Sequence, residues 1–516
     1  MTLLLACAAP PSAGEPGVAR MTASEALVRA SLDLRGTRPT AAEVARVEAD
    51  PAALDALVEE LLLDPRFEAR VRDLWSEVYR TRTPPAYVRA SAYGLDDPAA
   101  YEEAVGEEPL RVLGYVAAND LPWTELATGD WTMADEVLAA VWPIDRPEGE
   151  GWLRSRYTDG RPAAGVLATN AMWWRYGTTD SNANRKRANA ATRILLCHDH
   201  LSSPIAFSRD VDLLDDAAVA DALAGDPACV GCHATLDPLA SYFYGFWWFD
   251  PASVVEASRY HPDRELVWRE VTGQAPAYYG EPGGSLADLG LRIAADARFP
   301  SCAVEQAWEL LLRREATADD HDALLAHRDA FVEGGLTLRA LLRSIVADPR
   351  YLAGDTDADG YVSRKLASPE LLASQVEALT GYRWTRHGYD RMRTDAVGFR
   401  TLAGGLDGIA VTAPATSPTA TIVLVQERLA EAAAWHAVYE EPKRLFAGFD
   451  FADGDAAAQL AALHLAVLGR RVEPDGEEVA ALLELLGELR EVEPDPRDAW
   501  AGVLSALLRD PDFLLY

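Results

Sequence analysis

The stretch LLLDPRF, residues 61–67, ends an apolar helical pattern with an aspartate, a proline and an aromatic residue. A residue that precedes proline is driven out of the α region, so the sequence predicts that a helix stops at Asp64. The aspartate can then cap the segment that begins at the proline. Phe67 can be buried against the helix that has just ended. The stretch therefore predicts two helices joined by a tight corner.

The same order of features occurs three times along the chain. Each copy has a helix that ends in a basic turn, a helix start marked by Pro or Thr, a helical stretch and an Asp-Pro-x-aromatic stop. The copies run over residues 34–67, 311–351 and 468–513. We therefore expect repeated helical-hairpin units, with helix stops at Asp64, Asp348 and Asp510.

The rest of the chain also has mostly helical periodicity. Apolar residues recur at helical spacing in residues 26–34, 51–63, 67–80, 301–313, 336–346, 369–379, 456–468 and 498–508. Strand-like alternation is confined to residues 408–412 and 419–425. Residues 80–115 and 381–418 are rich in Gly, Pro, Tyr and Thr, which predicts long ordered loops. The predicted fold class is mainly α and multi-domain, with little β structure.

Composition limits the partners. The chain has 81 acidic and 48 basic residues and a net charge of −33, which repels phosphate backbones and excludes nucleic acid as an expected partner. No apolar run approaches the length that spans a bilayer. At 516 residues the chain is too long for one core and predicts about two to four domains.

The N-terminus resembles a lipoprotein signal. Leu4-Leu5-Ala6-Cys7 has the form of a bacterial lipobox, and a Pro/Ala/Gly/Ser-rich tether follows up to Val18. Only six residues precede Cys7, too few for an intact signal, so either Met1 is not the true start or the likeness is accidental. We expect lipidation at Cys7.

The segment DPACVGCHATLDPL, residues 226–239, carries Cys229, Cys232 and His233. Two thiols at this spacing can reach the two vinyl groups of a haem, and the adjacent histidine then falls under the iron as the proximal ligand. The spacing therefore favours a covalent haem site.

Two other chemistries stay open at this motif. A zinc site could combine the two motif thiols with Cys197, His198 and His200, although the second C-x-x-C of many structural zinc sites is missing. A redox dithiol would suit a βαβ context, which the sequence lacks.

An aromatic run, SYFYGFWWFD, follows the motif directly. Its aromatic residues are Tyr242, Phe243, Tyr244, Phe246, Trp247, Trp248 and Phe249. A flat macrocycle needs a large apolar wall, which such a run can form. An ordinary aromatic core cluster is the alternative.

The segment 226–250 resembles the C-x-x-C-H-x-x-x-D-P-L segment of large secreted cytochrome-c-like proteins of unknown function, described from planctomycetes. Residues 161–197 resemble the stretch before the haem motif in that family, and residues 32–75 are similar to a companion N-terminal domain. The resemblance implies one covalent haem c at Cys229 and Cys232, with His233 proximal. It also implies export to the periplasm or cell surface, and it implies no substrate.

The distal side of the haem differs from the family pattern. The segment CHDHLSSP replaces a proline-rich stretch, and Arg187-Ala188 replaces Arg-Gly. The candidates for the sixth ligand are Met172, His198, His200 and His261. Met172 is preferred because it lies in the segment that the family keeps next to the haem region.

Cysteine parity supports an oxidising compartment. When Cys7 and the two motif cysteines are set aside, Cys197 and Cys302 remain as a pair that could form a disulfide. Two separate buried thiols are the alternative.

Two acidic features suggest other roles. Asp237 is interpreted as a helix cap or as a carboxylate that orients another side chain, rather than as a catalytic acid.

The sequence DTDADG, residues 355–360, matches the first half of an EF-hand loop, but Leu366 stands where the bidentate glutamate should be. A solvated acidic linker is therefore preferred to a calcium site.

These observations predict an exported, lipid-anchored, monohaem cytochrome-like protein that transfers electrons to or from a redox protein or small molecule. The alternatives are a peroxidase-like haem enzyme with an open sixth position, and a non-enzymatic surface protein with zinc or a disulfide at the C-x-x-C. The predicted divisions are 1–20 (signal or lipobox remnant and tether), 21–115 (N-terminal helical domain), 116–353 (cytochrome-c-like haem domain with a helical repeat), 354–367 (acidic linker) and 368–516 (C-terminal helical domain).

Overall fold

The computed structural model describes residues 18–202, 212, 214–246, 253–354, 356, 361–396 and 398–516. The chain is mainly helical, with 58% helix and 5% strand, which confirms the predicted class. The helices are α1 (Ala23–Arg35), α2 (Ala41–Ala49), α3 (Ala53–Leu62), α4 (Phe67–Tyr79), α5 (Pro98–Ala118), α6 (Glu125–Thr128), α7 (Glu136–Val141), α8 (Asn170–Arg175), α9 (Arg185–Leu196), α10 (Asp216–Gly225), α11 (Pro227–Ala240), α12 (Val254–Ala257), α13 (Trp268–Val271), α14 (Leu286–Ala295), α15 (Arg298–Leu312), α16 (His321–Glu333), α17 (Leu338–Val346), α18 (Pro369–Thr380), α19 (Phe399–Leu402), α20 (Ala420–Tyr439), α21 (Pro442–Leu445), α22 (Ala456–Leu468), α23 (Glu477–Val492), α24 (Pro496–Leu508) and α25 (Pro511–Leu514).

The remaining regular structure is short. Short 3-10 helices lie at Ala90–Tyr93, Gly165–Ala168, Ser241–Phe246, Pro262–Arg264 and Ala318–Asp320. The strands are β1 (Thr132–Ala134), β2 (Ile144–Asp145), β3 (Leu153–Tyr157), β4 (Ala277–Tyr278), β5 (Glu281–Pro282), β6 (Thr385–Arg386) and β7 (Tyr389–Asp390). β3 lies between β1 and β2 in an antiparallel sheet, and the other strands form two hairpins.

The three Asp-Pro corners share one geometry. The helices before them end at Leu62, Val346 and Leu508, which confirms the predicted stops. In each corner the aspartate accepts a hydrogen bond from the backbone N–H two residues later, at 2.8 Å for Asp64 and 2.7 Å for Asp348 and Asp510. The aromatic residues that follow, Phe67, Tyr351 and Phe513, are all buried.

The basic turns also have a common construction. The first helix of each copy ends at a left-handed residue, namely Gly36, Arg313 or Gly469. In the first two copies an arginine of the turn then pairs with an acid in the next helical turn. Arg35 lies 2.6 Å from Glu43, and Arg314 donates to Asp320 at 2.8 Å. These two copies thus close their own hairpins through local contacts.

One buried carboxylate joins the three copies. Asp33, on α1, is 1% exposed and accepts hydrogen bonds from the hydroxyls of Tyr351 and Tyr516, each at 2.7 Å. Lys365 also donates to Asp33, and the guanidinium of Arg70 lies 4.0 Å away. Burial lowers the pKa of Lys365 to about 7, although the charge of Asp33 opposes that shift. The helix that opens the first copy is therefore tied to the corner of the second and to Tyr516, which follows the third.

The apolar core has two main clusters. One includes Leu27, Leu113 and Trp308 and comes from residues 26–352 together with Leu465, and the other includes Leu372 and Trp500 and comes from residues 366–514. The boundary expected near residue 115 falls inside α5, whose buried side chains from Leu110 onward belong to the first cluster.

Part of the predicted loop 80–115 is helical. Asp97 accepts hydrogen bonds from the backbone N–H groups of Ala99 and Ala100, and Pro98 occupies the first position of α5. An Asp-Pro pair is a standard signal for a helix start, and here it outweighs the Gly, Pro and Tyr content of the segment.

The two predicted strands are wrong. Residues 419–425 begin α20, where Thr419 caps the helix and the buried residues Ile422, Val425 and Leu429 follow a helical period. Residues 408–412 form a turn because Asp407 accepts hydrogen bonds from the backbone N–H groups of residues 409–411. Capping and side-chain-to-backbone bonds outweigh the β propensity of these residues.

The Asp33 cluster predicts a large loss of stability on substitution. Asp33→Ala removes the carboxylate that compensates Lys365, so we expect the free energy of unfolding to fall by about 3–5 kcal/mol. Urea denaturation followed by circular dichroism measures it. Asp322→Ala, at an exposed position on α16, is the control and should have little effect. Equal losses in the two variants would contradict the role of Asp33.

Candidate functional site

The C-x-x-C-H motif lies on one helix, α11, which runs through the whole segment from Pro227 to Ala240. Cys232 and His233 follow Cys229 by three and four residues, so the three side chains lie on one side of the helix. Cys232 is exposed, Cys229 is half-buried, and both are free thiols. The face can therefore present two thiols and one imidazole to the same group.

Asp237 holds the ring of His233. The Nδ1 atom of His233 lies 2.9 Å from Oδ1 of Asp237, one helical turn later. When Nδ1 is engaged in this way, Nε2 stays available to bind a metal. A carboxylate partner also makes the imidazole a stronger metal ligand. The interpretation of Asp237 as an orienting carboxylate fits this contact. Asp237 does not end the helix, because Pro238 lies inside α11.

Arg185 fixes Asp237 in turn. Its guanidinium forms a two-pronged ion pair with the carboxylate, at 2.6 Å and 3.0 Å. Burial raises the pKa of Asp237, but hydrogen bonds from His233 and Arg185 outweigh it and hold that pKa below its ordinary value. Asp237 is therefore a carboxylate at neutral pH. Arg185 precedes it by 52 residues, and no local pattern in the sequence indicates the pair.

The thiol of Cys232 does not resemble a redox-active thiol. Burial, together with the charges of Asp237 and Cys229, raises the pKa of Cys232. Redox-active cysteines react as thiolates and usually have lowered pKa values. A zinc ion removes the proton of a thiol that it binds, so this shift does not weigh against zinc.

Cys197 and Cys302 form a disulfide, with their Cα atoms 5.2 Å apart. The bond joins the C-terminal end of α9 to α15, across 105 residues. Cys197 is therefore not available to a zinc site, which corrects that version of the zinc alternative. Among the described residues, no cluster of three or more His, Cys, Asp or Glu side chains could hold a metal ion.

The histidines after α9 lie close together. The rings of His198 and His200 are 4.4 Å apart, and His198 also contacts Tyr279, at 6.2 Å between ring centres. Burial and the neighbouring His198 lower the pKa of His200 to about 4, so His200 is neutral at physiological pH. His261, the third candidate histidine, has its Nε2 2.9 Å from the backbone oxygen of Glu256.

The described part of the aromatic run belongs to the protein core. Phe243 contacts Trp173, with ring centres 4.6 Å apart, and Phe246 contacts Tyr260 at 4.9 Å. Tyr242 and Tyr244 are also buried, so these four rings support the interpretation as core packing rather than a free haem wall. Trp247, Trp248 and Phe249 lie outside the described residues.

Arg187 links the segment before the motif to the segment after it. The side chain is fully buried on α9 and donates to the backbone oxygens of Phe246, at 3.0 Å, and Tyr176, at 3.2 Å. The arginine at this position therefore has a structural role in joining α8, α9 and the aromatic run.

Met172, the preferred distal ligand, lies on α8 and is fully buried in the first core cluster. Its neighbour Trp173 contacts Phe243, so α8 adjoins the segment that follows the motif. Ligation by Met172 stays a prediction.

Some predicted features lie outside the described residues, namely Cys7 and the loop positions Asp355, Asp357, Asp359 and Gly360. No described helix is long and apolar enough to cross a membrane.

Comparison with known proteins finds a similarity to one family in part of the chain. Residues 13–96 match the family described as "PSCyt2: Protein of unknown function (DUF1549)". The match contains the first repeat copy and ends before the motif helix. No curated protein and no solved structure matches the chain.

The disulfide predicts a clear stability difference. The double variant Cys197→Ala/Cys302→Ala loses a long cross-link, so the free energy of unfolding should fall by about 2–5 kcal/mol. Urea denaturation of the haem-free protein measures it, and a reductant should lower the stability of the wild type by a similar amount. Cys229→Ala/Cys232→Ala is the matched control and should be nearly neutral. A reductant effect that persists in the first variant would contradict the pairing.

Proposed function

We propose that the protein is an exported monohaem c-type cytochrome-like protein that binds one haem covalently and transfers electrons. Cys229 and Cys232 would form the thioether bonds, and His233 would be the proximal ligand. The iron of such a haem would supply a one-electron redox centre. The observation that carries the proposal is the His233–Asp237 contact on the helix face that also bears both thiols.

Each residue on this side of the proposed haem has a separate role. The two thiols lie one helical turn apart, so both can bond to one group. Asp237 keeps Nδ1 of His233 engaged and directs Nε2 away from its own side of the ring. Arg185 neutralises Asp237 and prevents that carboxylate from turning away. The resemblance of residues 226–250 to the planctomycete proteins supports the same assignment.

The disulfide supports export, because such bonds persist mainly in oxidising compartments. We place the protein in the periplasm or at the outer cell surface, with a lipid anchor at Cys7. Its partner would be a redox protein or a small electron donor or acceptor.

Covalent haem should depend on the motif alone. Protein made together with the cytochrome maturation machinery should keep haem bound after denaturation, and Cys229→Ala/Cys232→Ala should abolish that bound haem. Visible absorption of the denatured, desalted chain measures it. The control Cys197→Ala/Cys302→Ala lacks the other cysteine pair and should retain haem. A colourless wild type, or bound haem in the first variant, would refute the proposal.

The native spectrum separates a carrier from an enzyme. A six-coordinate low-spin spectrum supports electron transfer, whereas a high-spin spectrum indicates an open position. In the low-spin case, Met172→Leu should change the spectrum if Met172 is the sixth ligand.

Asp237→Asn should raise the reduction potential of the bound haem. A neutral amide accepts a weaker hydrogen bond from the imidazole N–H than a carboxylate does, so the ligand donates less electron density and the oxidised iron is less stabilised. Redox titration followed by visible absorbance measures the shift. Asp221→Asn, an exposed position on α10, removes the same charge without the histidine contact and should shift the potential less. Equal shifts would show that only overall charge matters.

A further inference from the structure

A second site candidate lies away from the motif, in a cavity of about 490 Å³ between the two core clusters. Its walls come from α4, α5, α18 and the β6–β7 hairpin. This volume falls within the range of small-molecule sites in proteins. Neither the proposed haem chemistry nor the matched family accounts for it.

More arginines than carboxylates line this cavity. Among the described residues, nine arginines and six carboxylates line it, although the whole chain has a net charge of −33. Some of these arginines also pair with carboxylates outside the lining, such as Arg66 with Asp64 and Arg72 with Glu68. The case for an anionic ligand therefore depends on the arginines whose partners are weak.

The innermost arginines of the cavity already have carboxylate partners. Glu107 accepts hydrogen bonds from both Arg72 and Arg82. Arg82 also donates to Asp73 at 2.8 Å, and Arg393 lies 4.0 Å from the same carboxylate. These groups are buried or nearly so, where an uncompensated charge is costly. Arg72 also pairs with Glu68 and Arg393 with Asp390, each at 3.0 Å. These arginines are therefore engaged, and a ligand must be held by others.

Two further arginines have weak partners. Arg111 lies 3.4 Å from Glu68 and 3.9 Å from Glu107, and its buried Nε has no hydrogen-bond partner among the described residues. Arg383 lies 3.4 Å from Asp390 and 4.0 Å from Glu377. Strong guanidinium–carboxylate bonds are shorter, at about 2.7–2.9 Å. Both side chains can therefore bind a better acceptor without breaking a strong bond.

Arg70 adds a buried donor to the same cavity. The residue is 3% exposed, and its Nη1 has no hydrogen-bond partner in the described part of the chain. On the other side, Glu102 accepts a hydrogen bond from the hydroxyl of Tyr389 at 2.7 Å. Burial and the charge of Glu107 raise the pKa of Glu103. The cavity thus offers cationic donors together with acceptors for hydroxyl groups.

We infer that this cavity binds a small organic anion, with its charged group held by Arg111 and Arg383. A carboxylate, a phosphate or a sulfate group provides the oxygens that planar guanidinium groups bind best. The volume admits a ligand larger than an inorganic ion, and the carboxylates of α5 suit a ligand that also carries hydroxyl groups.

Isothermal titration calorimetry with citrate, inorganic phosphate and sulfate, at constant ionic strength set by chloride, tests the inference. At least one of the three should bind to the full chain. If only citrate binds, the natural ligand carries a carboxylate group. If phosphate or sulfate binds, the natural ligand is a phosphate ester or a sulfate ester. No heat above the chloride control for any of the three would overturn the inference.

Arg111→Gln/Arg383→Gln should weaken the binding by at least about tenfold, because two charge-assisted contacts are lost. The single variant Arg383→Gln, at a half-exposed side chain, keeps the test valid if the double variant folds poorly. Arg428→Gln, whose side chain is 70% exposed on α20, removes the same charge elsewhere and should leave binding unchanged. Equal weakening in the Arg428 variant would show that only the overall charge of the protein affects binding, and this result would refute the site.

Discussion

The buried carboxylate of Asp33 is the contact on which the arrangement of the repeats depends. A carboxylate without water is stable only when it is fully paired, and here the partners come from distant parts of the chain. Tyr351 belongs to the second corner, Lys365 to the segment after it, and Tyr516 is the last residue. The pairing of Asp33 is therefore complete only when these distant parts of the chain come together.

Local rules predict the repeat units well, and for a physical reason. The corners at Asp64, Asp348 and Asp510 depend on a proline, a cap and an aromatic side chain that are adjacent in sequence. The joints between the copies are not predictable in this way, because most partners of Asp33 lie hundreds of residues away from it. The prediction at the start of α20 is wrong because its β-branched residues alternate like a strand, while Thr419 caps a helix.

The candidate site shows the same division. The spacing of Cys229, Cys232 and His233 is enough to predict that a helix would present them on one face, and the next helical turn supplies Asp237. Arg185 cannot be found in this way, because it reaches Asp237 from another helix. The count of cysteines indicates a pair at Cys197 and Cys302, which the structure joins.

The two ends of α9 connect the candidate site to the repeats. At its first residue Arg185 holds Asp237 on α11, and just beyond its last turn Cys197 is bonded to Cys302 on α15, the helix that leads into the second copy. Arg187 adds a buried contact to the segment that follows α11. The direction of the His233 ring is thus set by a chain of contacts that begins in the repeat scaffold. In the proposed function, a His233 ring fixed in this way would reduce the rearrangement that accompanies a change of iron charge, which would favour fast electron transfer. The repeats would then serve as the frame that holds the ring in place.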